Sequence, residues 1–344
     1  MTQTGDLLPA DESVPPVPRR SSRMKTVGLL ALKFTVTAGC LWYVTRNIKI
    51  DDIGGLARSL DPAWTICAVL AVMLQLPLAG LRLGGIVDGL GVPRESTPRG
   101  QMIANSSICL FFGQILPNPG GDAMRLWLLR RLGRTWGRAV TSVLIDRAVG
   151  VVVLLVLGFV TLLFPSPLME LTGNRHLVLA TIGIMIVGGV VGFALIPQLA
   201  PILERSRITR PAAYLGRAIH RVFYPPSAGA PILTVALVIH ILTILAIWSL
   251  ARAEGLALPI VDAAVLFATI AVLSLLPISI SGWGVRELAV TALLQSYGMS
   301  QAQGLFFSVS FGVLLIVAAL PGAIVYAIYA PKPVEARAVA GHIR

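Results

Sequence analysis

The chain has 344 residues, 56% hydrophobic and only 13% charged, with a mean hydropathy of +0.81. A soluble globular chain carries about 25% charged residues, so too little charge is present to cover a water-facing surface. The length goes into membrane spans. The net charge of +12 is nearly all arginine, since Lys25, Lys33, Lys49 and Lys332 are the only lysines. In so apolar a chain this excess reads as cytoplasmic loops facing anionic headgroups, not as nucleic-acid binding.

In chain order, residues 1–24 form a polar, proline-rich tail containing Arg19, Arg20 and Arg23, with the composition of a disordered segment. Eight apolar segments follow: Val27–Thr45, Pro62–Leu81, Gln101–Pro117, Ala139–Phe164, Leu177–Leu199, Pro231–Leu250, Asp262–Pro277 and Leu305–Ala330. Six are long enough to span as helices. The third and seventh are shorter and run into breaks, Leu116-Pro117-Asn118-Pro119-Gly120-Gly121-Asp122 and Leu276-Pro277-Ile278-Ser279-Ile280-Ser281-Gly282-Trp283-Gly284. Short helical patterns follow each break, at Ala123–Leu132 and Val285–Tyr297. Residues 331–344 form a second cytoplasmic tail.

Arginine position decides what the two broken segments do. If all eight segments span, with the N-terminus inside, inside loops hold 11 positive residues and outside loops 12, which is no bias. Folding the third and seventh back as re-entrant hairpins moves Arg130, Arg131, Arg134 and Arg138 inside, together with Arg205, Arg207, Arg210, Arg217 and Arg221. The balance becomes 18 inside against 5 outside, as cytoplasmic loops require. The expected fold is therefore an all-α polytopic membrane protein of six spanning helices plus two re-entrant hairpins, with both termini cytoplasmic. Three spans separate the hairpins, so the first enters from the cytoplasm and the second from outside. The chain then reads as one domain over 25–330, with inverted repeat halves at about 25–165 and 177–330 and a shared site near mid-membrane.

Non-helical backbone at membrane depth survives only where protein or a water-filled cavity satisfies it. Helices restarting after Gly120-Gly121 and Gly282-Trp283-Gly284 would point free N–H groups and a positive dipole end into that cavity, which suits an anion such as phosphate. Arg125 and Arg286 would add charge-assisted hydrogen bonds. The plainer reading is a pair of interfacial loops whose arginines snorkel to headgroups; occurrence of the feature twice favours a headgroup site.

Intramembrane ionisable residues are costly and usually paired. Asp146-Arg147, with Asp122 upstream, reads either as a structural pair locking the hairpin to the next span or with Asp146 as the partner that orients Arg125 or Arg286. Asp146 and Glu287 are also candidates for proton coupling. Ser281 supports the second break, and Asn105 and Gln114 could line the cavity or make structural hydrogen bonds. His240 is a lone histidine in the sixth apolar segment, where packing or a helix–helix hydrogen bond is the expected role; a dyad with Ser279 or Ser281 would need a Gly-x-Ser-Gly turn, and position 279 is Ser. Cys40, Cys67 and Cys109 lack metal spacing, and HExxH and GxxxxGK[ST] are absent, so the expectation is no metal, no cofactor and no catalytic residue.

Asn118-Pro119-Gly120-Gly121-Asp122-Ala123-Met124-Arg125 with Leu129-Arg130-Arg131-Leu132-Gly133, then Asp146-Arg147 within Ser142–Gly150, resembles the first half of the lysylphosphatidylglycerol synthase transmembrane-region family. Pro277 through Glu287, with its Gly-x-Gly-x-Arg-Glu turn, resembles that family's second signature. The resemblance covers about residues 25–330 and implies a lipid-translocating module of the bacterial inner membrane. Fused members carry a C-terminal domain that makes the aminoacylated lipid. This sequence stops fourteen residues after Ala330, so a stand-alone form is expected and the synthetic half does not carry over. The implied function is flipping of an anionic phospholipid or lipid-linked headgroup. The alternatives are an enzyme modifying a carrier-lipid or phospholipid headgroup, and a membrane partner of a separately encoded synthase or glycosyltransferase.

Overall fold

A computed structural model describes residues 35, 37–40, 42–43, 45–46, 50–92, 98–116, 119–166, 175–275 and 283–329. Both tails, most of the first apolar segment and the break residues Pro117, Asn118, Ser279, Ser281 and Gly282 lie outside the described residues. Among those described the chain is all helical. Twelve helices follow in order: α1 (Ile50–Arg58), α2 (Pro62–Met73), α3 (Gln75–Gly89), α4 (Arg99–Ile115), α5 (Gly120–Arg131), α6 (Trp136–Leu162), α7 (Arg175–Leu203), α8 (Arg210–Phe223), α9 (Pro226–Ala253), α10 (Ile260–Leu275), α11 (Val285–Gln295) and α12 (Gln301–Tyr329).

Among the described residues five stretches are long and apolar enough to cross a membrane: Pro62–Gly89, which is α2 and α3 in succession, and α6, α7, α9 and α12. Local chemistry sets their ends. Asp61 opens α2, its carboxylate accepting from the Ala63 and Trp64 amides at 2.8 and 3.3 Å, with Pro62 at the first helical position. The Asp61 amide in turn donates to the Ala253 carbonyl at 2.9 Å, tying the start of α2 to the end of α9. The outer surface is greasy: Ile184, Val187 and Val190 on α7 are 72%, 62% and 64% exposed. A helix apolar on its outward side is stable only against lipid, and the protein is a multi-pass membrane protein.

Two segments depart from the expectation drawn from sequence. The arginine-rich stretch treated as a loop contains α8, whose apolar residues Ala218 and Val222 are buried with Ile86, Ile145 and Ala236. The second apolar segment continues to Gly89 instead of ending at Leu81.

The order short helix, short helix, long helix occurs twice, as α4, α5, α6 and as α10, α11, α12. Helix α5 folds back along α4: Gly121 faces the Cys109 carbonyl and Gly113, Leu128 clusters with Ile108 and Cys109, and Leu129 clusters with Met102. Rising numbers on α5 thus meet falling numbers on α4. Helix α10 packs beside α11. Each first short helix also lies against the long helix of the other triplet, α4 on α12 and α10 on α6. Helix α9 joins the two groups through α2, α3, α6 and α10.

At the C-terminal end of α9, Glu254 caps the helix, and burial pushes its carboxyl up to about 8 against a weaker opposing hydrogen bond from Ser310. A carboxyl whose pKa rises on folding holds more protons folded than unfolded between its ordinary value and about pH 8, so stability falls as pH rises through that window. Glu254→Gln is expected to flatten this dependence and to raise stability above pH 8, as read by thermal unfolding from pH 5 to 9. An unchanged pH profile would show that Glu254 is solvated.

Candidate functional site

Three helices bring charge to one buried point. Arg82 on α3 reaches Asp146 on α6 through Nε at 2.8 Å and Nη2 at 3.2 Å, and Arg125 on α5 reaches the same carboxylate through Nη1 at 2.5 Å. Asp146 is 4% exposed and Arg125 9%. Among the described residues one carboxylate thus serves two guanidinium groups, and the buried cluster carries one guanidinium more than carboxylates. Arg125 Nε has no hydrogen-bond acceptor among the described residues, and the Asn105 Nδ2 and Ser106 Oγ atoms on the facing helix α4 are likewise buried without a partner. Buried donors without acceptors are costly, so a ligand bearing acceptor oxygens would find them ready.

The next residue, Arg147, points about 100° further round α6 and is largely exposed. It bonds Asp122 on α5 through Nη2 at 2.9 Å to each carboxylate oxygen and through Nε at 3.2 Å. The adjacent Asp146 and Arg147 therefore do not pair with each other. Each takes a partner on α5, three residues apart at 122 and 125, so two ion pairs clamp the hairpin to α6. Asp122 also lies in the first turn of α5, where the helix dipole favours a carboxylate. Of the two readings of Asp146, locking and orientation of Arg125, the geometry supports both at once. Arg82 is the residue that sequence reasoning left out; its only signal was a charge inside an apolar segment.

Helix α5 begins at Gly120, earlier than the Ala123 expected. Gly121 is required by close approach: a Cβ there would sit 2.9 Å from the Cys109 carbonyl and 3.0 Å from Gly113 Cα. At Gly120 a Cβ would meet the Leu116 side chain at 2.3 Å. The glycines thus let the hairpin close.

The second break is built on Glu287, which is fully buried. It accepts from the Gly284 amide at 2.5 Å, from Arg286 Nε and Nη2 at 2.9 and 2.5 Å, and from Ser308 Oγ at 3.4 Å. Gly284 has φ +86, the left-handed region, with the Thr37 carbonyl 2.8 Å from where a Cβ would lie, so both backbone and space demand glycine. The Arg286 guanidinium stacks 4.7 Å from the Trp283 ring and fills the space over Gly312 on α12. Unlike the α3–α5–α6 cluster, this pair is electrically balanced.

Arg125 and Arg286 therefore engage different carboxylates, Asp146 and Glu287. Arg286 packs at Gly312, while the Ser107 carbonyl on α4 packs at Gly322 on the same helix, ten residues or roughly 15 Å further along. Gln114 is half-buried. His240 bonds its own helix, with Nδ1 2.8 Å from the Ala236 carbonyl, and stands edge-on to Phe267, the packing role expected of it. Another buried polar group had no sequence signal: Asp262, near the start of α10, accepts hydrogen bonds from Ser166 and Tyr297 and joins three segments.

No curated protein matches the chain. A family model described as "Lysylphosphatidylglycerol synthase TM region" matches residues 30–327, a span that takes in every helix except the last two residues of α12. Both glycine breaks, both Arg–carboxylate pairs and the Arg82 partner fall inside that match, and the chain belongs to this family.

Proposed function

We propose that this protein moves an anionic phospholipid or lipid-linked headgroup across the bacterial inner membrane without converting it chemically. The observation that carries the reading is the Arg82–Asp146–Arg125 cluster: one guanidinium more than carboxylates, buried against a helical hairpin, with Arg125 Nε lacking an acceptor. A phosphate diester supplies the missing charge and the acceptor oxygens. The family's name ties its members to a phospholipid, which fits such a headgroup.

The transport path uses the two triplets as inverted repeats, with six spans, both hairpins re-entrant and both termini cytoplasmic. The reciprocal packing of α4 on α12 and α10 on α6 supports this arrangement, as does the arginine bias. The headgroup passes between the hairpin tips, first engaging Arg82 and Arg125 and then Arg286 and the Gly284 turn, while the acyl chains stay in lipid. Carboxylates already seated on each arginine keep binding weak enough for release.

The test is flipping of a fluorescent phosphatidylglycerol in proteoliposomes. Arg82→Gln removes the surplus charge while leaving the Arg125–Asp146 pair, and is expected to slow flipping about tenfold or more, equivalent to about 1.4 kcal/mol, with little loss of folded protein. A wild-type rate in this variant would sink the assignment, and headgroup turnover in detergent would make the protein an enzyme.

A further inference from the structure

The cleft between α7 and α8 is remote in sequence from both hairpins. It encloses about 400 Å³ and is lined by Ile196, Pro197 and Ala200 on α7 and by Arg217, His220 and Arg221 on α8. One wall is apolar and the other is basic. Positions 217, 220 and 221 fall on one side of α8 because residues three and four apart are neighbours on a helix. Another side, with Ala218 and Val222, is buried in protein.

The geometry of the cleft is held from within. His220 is stacked between Phe193, at 5.4 Å, and Tyr224, at 4.6 Å, which fixes the imidazole at the edge of the cleft. Arg217 donates to Glu204 at 2.7 Å, and Glu204 is the sole acid among residues 204–221, which hold five arginines. Arg221 is exposed and has no ion pair among the described residues. Ile196, Pro197 and Ala200 form an apolar strip along α7 on the cleft side. A basic rim over an apolar strip, at the end of a membrane-crossing helix, has the chemistry of a phospholipid headgroup seated above its acyl chains.

We infer that the α7–α8 cleft is a binding site for an anionic glycerophospholipid, separate from the hairpin cluster, in which Arg217, Arg221 and His220 hold the phosphate and the α7 strip holds an acyl chain. The lipid joins α8 to α7. Because α8 also packs on α3, α6 and α9, occupancy ties α7 to those helices through α8. Charge complementarity selects a phospholipid with net negative charge, since Glu204 neutralises one arginine and leaves Arg221 for the ligand.

The experiment titrates phosphatidylglycerol, phosphatidylcholine or inorganic phosphate into the full-length protein in uncharged detergent and reads thermal stability. Phosphatidylglycerol is expected to raise the unfolding temperature in a saturable manner, phosphatidylcholine much less, and phosphate alone not at all. Arg217→Gln/Arg221→Gln should raise the half-saturating concentration about thirtyfold, from about 1 kcal/mol per basic residue at a lipid surface. Arg217→Lys/Arg221→Lys should lose less. Arg252→Gln, at an exposed position in the last turn of α9, should keep the wild-type half-saturating concentration. Glu204→Gln, which frees Arg217, should bind a few times more tightly and serves if the double glutamine variant does not fold. Equal responses to the two lipids, a full response to phosphate, unchanged binding in the double variant or weaker binding in Glu204→Gln would each overturn the site. Loss of the response in Arg125→Gln alone would place the lipid at the hairpin instead.

Discussion

Replacing Asp146 by Asn is expected to destabilise the protein by about 3–5 kcal/mol, because it removes the one carboxylate beneath two buried guanidinium groups. The loss exceeds that of an ordinary hydrogen bond, since what remains is an uncompensated pair of like charges in a low-dielectric setting. The sharper measurement is a double-variant comparison. Asp146→Asn/Arg82→Gln should be more stable than Asp146→Asn alone, because removing the second cation relieves the repulsion. Urea or thermal unfolding in detergent reads both. If the two effects simply add, Arg82 and Asp146 are not coupled and the cluster is not an ion triad. Flipping should fall with Asp146→Asn even at temperatures where the variant stays folded, since Arg125 loses the group that holds its guanidinium in place.

Glu287→Gln is the second large effect, at about 3 kcal/mol or more. A glutamine keeps one acceptor oxygen but cannot satisfy the Gly284 amide and both Arg286 nitrogens with charge-assisted bonds. The consequence is local before it is global. Arg286 would lose its carboxylate while still pinned between Trp283 and Gly312, and the turn entering α11 would loosen. Faster hydrogen exchange at the start of α11, preceding global unfolding, is the expected signature. Exchange at wild-type rates there, with unchanged unfolding, would show that Glu287 is replaceable and that glycine geometry alone holds the turn.

Much of the candidate site was legible before any coordinates. Two breaks, each ending in glycines and followed by an arginine, marked the hairpin regions and named Arg125 and Arg286. Asp146 and Glu287 stood out as acids in apolar surroundings. The pairing was not legible. Asp146 and Arg147 are neighbours in sequence and so suggested a pair, but successive helical residues point about 100° apart. One turns inward to Arg82 and Arg125, the other outward to Asp122. Arg82 lies 64 residues from its partner, and nothing local to either marks the contact. Helix α8 was hidden for a different reason: its charged residues supported a cytoplasmic loop, while its apolar residues recur at helical spacing and only gain meaning once α3, α6 and α9 offer a surface to cover.

A composition of 56% hydrophobic and 13% charged residues was enough to place the chain in a membrane. Apolar content is a sum over consecutive residues and needs no partner, so the sequence by itself determines it. The end of the second span, at Gly89, was set by the fold. What the tertiary structure decided is which charges lose their counter-ions. That depends on helix rotation and on the close approaches that Gly121, Gly312 and Gly322 permit. Only when three helices meet does a single carboxylate come to face two arginines.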